Sequence, residues 1–184
     1  INKYGLTVEW GNTELTYTGR SQFPSYVMRG VGDDGNILGG GRGGEKNVGE
    51  GYVCTVDRIT EQYNNDKNYF IDKNASTVYS IVPASVAVRW DVPEMMYDGT
   101  EQKPSAWIVG LGDDAAVSMS CNVTGAIKAG THKSVATYEG ELSENYILTD
   151  AERYFTISKK IISVIARDIT IKSGEEVPEL KYDV

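Results

Sequence analysis

Val8-Glu9-Trp10-Gly11-Asn12-Thr13-Glu14-Leu15-Thr16-Tyr17-Thr18-Gly19 is followed eighty residues later by Val88-Arg89-Trp90-Asp91-Val92-Pro93-Glu94-Met95-Met96-Tyr97-Asp98-Gly99. The match runs on without a gap. Gln22, Pro24 and Ser25 meet Gln102, Pro104 and Ser105; Gly30 meets Gly110; Gly32-Asp33-Asp34 meets Gly112-Asp113-Asp114. An internal repeat of this length organises the whole chain and is read before any local feature. Beyond it the correspondence continues with small changes of length. Val48-Gly49-Glu50 resembles Ala129-Gly130-Thr131, Asn68-Tyr69 matches Asn145-Tyr146, and Tyr79-Ser80-Ile81 resembles Phe155-Thr156-Ile157. Residues 1–83 and 84–160 are therefore expected to form two modules, with 161–184 the start or remnant of a third.

Within each module the apolar period is two. Leu6, Val8 and Trp10 alternate with Thr7 and Glu9, and Val86, Val88 and Trp90 alternate with Ala87 and Arg89. Tyr79 and Ile81, Phe155 and Ile157, and Ile169 and Ile171 do the same. Such alternation marks strands with one buried face. Short strands separated by Gly, Asn and Asp clusters predict an all-β protein with an antiparallel β-sandwich in each module. Glu141 to Ser173 lacks Gly and Pro, yet its Thr, Ile, Val and aromatic content favours strand over helix.

Composition narrows the functional classes. The 184 residues carry 18 Lys and Arg against 26 Asp and Glu, a net charge of −8. A nucleic-acid binder needs clustered cations against the phosphate backbone, so that class is excluded as an expectation. An anionic membrane surface repels the chain for the same reason. No apolar run reaches the roughly 18 residues needed to span a bilayer. A single His, and two Cys (Cys54 and Cys121) far apart in sequence, argue against zinc or redox chemistry. The two thiols are read as free, with a bridge between modules as the alternative. The opening Ile1-Asn2-Lys3-Tyr4 has neither Met nor a signal-type apolar core. The chain is accordingly expected to be a fragment without its signal and anchor.

Tyr97-Asp98-Gly99-Thr100-Glu101-Gln102-Lys103-Pro104, the Ala129-Gly130-Thr131 turn, Asn145-Tyr146 and the closing Tyr154-Phe155-Thr156-Ile157 carry a family resemblance. They resemble the YDG-type immunoglobulin-like repeats of large bacterial cell-surface proteins. The first module shows a weaker version, with Thr18 where Asp is usual and an added Gly39–Gly44 stretch. Ala166-Arg167-Asp168-Ile169-Thr170-Ile171, running to Pro178 and Tyr182, is similar to the opening of MBG-type repeats. The resemblance implies an extracellular array on a bacterial surface and carries over no catalytic residue. Some bacterial surface sandwiches also form a Lys–Asn isopeptide crosslink beside a buried acid. Lys3, Lys46, Lys128, Asn68 and Asn145 are the residue types concerned, without a diagnostic pattern.

The candidate sites are few. Asp33, Asp34, Asp113 and Asp114 place two carboxylates in each of two short turns, a chemistry that suits Ca²⁺ and equally a tight turn. Matched Trp10 and Trp90 are read as core aromatics. Trp107 stands opposite Val27, so the repeat does not require it; with Tyr26 it is the candidate ligand platform for a sugar. Gly39-Gly40-Gly41-Arg42-Gly43-Gly44 lacks the Lys-Ser/Thr ending of a phosphate loop and is expected to be a hairpin tip. The function expected is a non-catalytic, semi-rigid spacer at a bacterial cell surface, in contact with neighbouring repeat modules. A host-glycan or host-protein adhesin module is the alternative, and an enzyme is the weakest of the three.

Overall fold

A computed structural model of the chain describes residues 2–30, 39–59, 65–114, 120–179 and 181–183, and leaves the side chains of residues 65 and 66 undescribed. The protein is built of β-strands. β1 (Tyr4–Trp10) lies between β3 (Tyr26–Arg29), which pairs antiparallel through Glu9 and Val27, and β6 (Tyr69–Lys73), which pairs parallel through Leu6 and Ile71. β8 (Ala84–Asp91) lies in the same way between β10 (Ser105–Val109) and β13 (Tyr146–Thr149), the latter parallel with Tyr146 beside Ala84.

A third sheet runs β2 (Glu14–Thr16), β7 (Ser76–Val82), β5 (Gly49–Ile59), β4 (Gly39–Arg42). A fourth runs β11 (Ser120–Val123), β12 (Gly130–Glu139), β14 (Glu152–Ser158), β9 (Met95–Met96). One helical turn, α1 (Asn65–Asn68), leads into β6, and a short hairpin joins β15 (Ile165–Ala166) to β16 (Tyr182–Asp183).

All-β is thus the observed class, but the ladders are mixed where an antiparallel sandwich was expected. β1–β6, β2–β7, β8–β13 and β9–β14 are parallel.

The sequence alternation survives as burial. Leu6 and Val8 of β1 are fully buried, and with Met28 they meet Val56 of β5 and Tyr69 in one apolar cluster. Each such side chain contributes about 1.5–3 kcal/mol relative to exposure. Pro24 and Pro104, matched in the repeat, are both fully buried. Trp10 and Trp90 sit half-buried at the ends of their strands. Each indole Nε1 donates a 2.8 Å hydrogen bond to the carbonyl of a left-handed residue, Asn74 (φ 56°) and Asp150 (φ 56°) respectively. Asn and Asp tolerate that conformation better than other side chains.

Gly39–Arg42 is a strand rather than a hairpin tip. Its glycines permit close approach: a Cβ at Gly39 would come 2.1 Å from Met28 Cε, inside the core. Absence of side chains hid this strand from any hydrophobic periodicity.

The chain divides into two compact units: Ile1–Trp90 with Ala106–Asn122 and Ala136–Ala151, and Asp91–Ser105 with Val123–Val135 and Glu152–Val184. In the first, Tyr17, Cys54, Tyr79 and Ile81 share a buried cluster with Val86 and Tyr146, flanked by Leu111, Leu142 and Leu148. In the second, Met95, Phe155 and Ile157 form a smaller cluster with Ala126 against it.

Candidate functional site

The most constrained polar group of the first unit is the Asp114 carboxylate, only 3% exposed. It ends a single 3-10 turn, Gly112–Asp114, closed by Asp114 N–H donating to Leu111 O at 3.0 Å. Three donors converge on it. Tyr17 Oη donates to Oδ2 at 2.6 Å, Tyr146 Oη donates to the same oxygen at 2.9 Å, and Lys46 Nζ lies 3.3 Å from Oδ1. The two phenol rings meet edge to face at 5.3 Å.

Each donor is positioned by a strand end. Tyr17 directly follows β2, where its N–H donates to Val82 O at 2.9 Å. Tyr146 opens β13, and Lys46 follows the isolated bridge between Gln22 and Glu45. Asn145 stands beside them, 5% exposed, accepting from Val48 N–H at 2.9 Å through Oδ1 and donating from Nδ2 to Asn47 Oδ1 at 3.3 Å. Gly19 (φ 81°) passes so close that a Cβ there would lie 3.3 Å from Asp114 Oδ2.

Electrostatics follow from this packing. Burial by itself raises the Asp114 carboxyl, but hydrogen bonds from Tyr17 and Tyr146 and the Lys46 ammonium outweigh it and hold the group below the ordinary carboxylate range. Burial, with the Asp114 hydrogen bond and charge behind it, pushes the Tyr146 phenol up to about 12 and the Tyr17 phenol higher still. A carboxylate kept ionised by three donors is a poor proton acceptor. The arrangement ties together chain segments that are far apart in sequence.

The residues singled out by sequence fall in different places. Asp114 is the buried acid just described, while its neighbour Asp113 takes the Arg20 guanidinium in an exposed ion pair. Asp33 and Asp34 lie outside the described residues. Among the described residues no group of three His, Cys, Asp or Glu side chains is arranged around a common point. Trp107 lies on β10 with half its surface exposed. Tyr26 is half-buried on β3, its hydroxyl donating to Gly39 O at 2.8 Å and its ring 5.4 Å from Trp10 and 6.4 Å from Phe23. Cys54, buried, and Cys121, half-buried, are both free thiols.

Tyr17, Lys46, Asn145 and Tyr146 were not legible as one site. In sequence, Tyr17 and Tyr146 are visible only as repeat residues, Lys46 and Asn145 only as residue types of an isopeptide crosslink, and no local spacing links them to Asp114. No protein-family model, curated protein or solved structure matches the chain.

Proposed function

We propose that this chain is a non-catalytic, semi-rigid spacer, a stretch of tandem immunoglobulin-like modules similar to YDG-type and MBG-type repeats on a bacterial cell surface. The observation that carries the reading is the tie at Asp114. Tyr17, Lys46 and Val48, from the first sequence repeat, are bonded to Asp114 and Asn145 of the second, and the Tyr17 ring meets that of Tyr146 edge to face. Ile81 and Tyr79 share an apolar cluster with Val86 and Tyr146 across the same boundary. A flexible tether has no need of a buried charge network at its joint, whereas a strut does. Repeats that stack on their neighbours gain stability from the shared interface.

Spin labels at Val27 and Ile147, in a Cys54→Ala, Cys121→Ser background, test the reading by electron–electron distance measurement. A spacer gives one narrow distance distribution, broadened in Asp114→Asn. A distribution already broad in the parent protein overturns it.

The half-exposed indole of Trp107 favours a second reading, an adhesin module for a host glycan or protein. Flat aromatic faces stack on sugar rings, and loop-tip Asp and Asn accept and donate to hydroxyls. Glycan-array binding lost in Trp107→Ala supports this reading.

A further inference from the structure

The second unit rebuilds the backbone that holds Tyr17. Tyr97 N–H donates to Ser158 O at 2.9 Å, as Tyr17 N–H does to Val82 O. Gln102 Nε2 donates to Met96 O at 2.7 Å, as Gln22 Nε2 does to Thr16 O at 2.9 Å. Register then gathers three chain ends. Ile157 of β14 faces Gly130 on one side and Met95 on the other, and Ser158 faces Met96. Tyr97 after β9, Lys128 and Ala129 before β12, and Lys159 and Lys160 after β14 therefore reach the same end of the ladder. They line a depression of about 350 Å³.

Tyr97 is 41% exposed there. Lys128, Lys159 and Lys160 take part in none of the ion pairs among the described residues. In a chain of net charge −8, three unpaired ammonium groups around one phenol make a local positive field. At the equivalent end in the first unit a carboxylate occupies this position, gripped by Tyr17 at 2.6 Å and Lys46 at 3.3 Å.

The geometry points to a carboxylate-binding site at Tyr97, whose ligand is an aspartate side chain presented on a turn of another protein module. Tyr97 donates the directional hydrogen bond, and the lysines supply charge that survives desolvation because it meets an opposite charge. An acidic sugar would satisfy the charge alone. The precedent within this chain is a Gly-Asp-Asp turn, so the protein ligand is the one inferred.

Titration of the isotope-labelled 1–184 chain with acetyl-Gly-Asp-Asp-amide, followed by amide shifts, tests this. The expected result is saturable shifts at 97, 128–129 and 159–160, with affinity at least about tenfold lower in Lys128→Gln/Lys160→Gln, or about 1.4 kcal/mol. Tyr97→Phe weakens binding while the remaining spectrum stays native. Equal affinity for the Asn-containing peptide, or shifts that map elsewhere, overturns the site. Saturation of these amides by glucuronate, with the peptide inert, overturns the protein ligand. The inference rests on the repeat that underlies the spacer reading but not on its stiffness. A blank titration overturns the site and leaves the spin-label distances intact, and broad distances leave the site standing.

Discussion

The Tyr17 phenol and the Asp114 carboxylate, 97 residues apart in sequence, are joined by a buried 2.6 Å hydrogen bond. Each is a repeat residue, and their contact joins one repeat to the other. Removing the phenol leaves the buried carboxylate one donor short, which costs about 1–3 kcal/mol. Asp114→Leu strands two buried phenols and the Lys46 ammonium and is expected to cost more, about 3–5 kcal/mol by analogy with broken buried pairs. Lys46 is nearly half exposed, so Lys46→Met is expected to cost less than about 1 kcal/mol. Urea midpoints at unchanged m-value check this order, Asp114 above Tyr17 above Lys46. A Lys46 variant as damaging as the Asp114 variant would contradict it.

The same network sets two pH limits. The Asp114 carboxyl is lowered in the fold, so its contribution to stability is present above the unfolded value of about 3.9 and is lost as pH falls through the lowered folded value. Tyr146 is raised from 10.0 to about 12, so its contribution is complete below about 10 and is lost between there and about 12. The contribution of this network to stability is expected to be flat between these limits. Asp114→Asn should flatten the acid limb, and Tyr146→Phe the alkaline one.

Gly19 and Gly99 are matched glycines at φ 81° and 86° with different neighbours. A Cβ at Gly19 meets Asp114 Oδ2 and Asp113 Cβ, whereas one at Gly99 meets nothing within 4 Å. Gly99→Ala therefore pays only for the left-handed backbone, about 1–2 kcal/mol, and Gly19→Ala is expected to exceed it. Equal midpoints for the two variants would show that Gly19 is not packed against the acid.

Lys46, Asp114 and Asn145 stand together, the residue types of an isopeptide crosslink. The bond requires an unprotonated Lys46 amine to attack Asn145 Cγ, with ammonia leaving and an acid supplying its proton. Asp114 is held ionised, and the Asn145 amide is committed to Val48 N–H and Asn47. The expected intact mass is that of the uncrosslinked chain. A mass lower by one ammonia would refute this.

How much could be read from sequence depended on whether the signal was local. Leu6, Val8, Val86 and Val88 fall at every second position of their strands, and that face is buried as the alternation requires. Gly39–Arg42 offered no side chains to alternate, so its strand was hidden. The parallel β2–β7 and β9–β14 ladders pair the beginning of a set with its end, which no window of sequence spans. Asp114 was noticed as a turn acid with metal-ligand chemistry. Its partners were unreadable because Tyr17 and Lys46 reach it from the other repeat, across a separation in sequence that no local pattern bridges.

Pro83 stands alone between the last residue of β7 and the first of β8. Lacking an N–H, it interrupts the ladder without adding chain. A pull along the backbone finds roughly one residue of slack there, about 3.5 Å. A pull on this segment is therefore expected to load the β5–β7 and β8–β13 hydrogen bonds before it straightens any connecting chain.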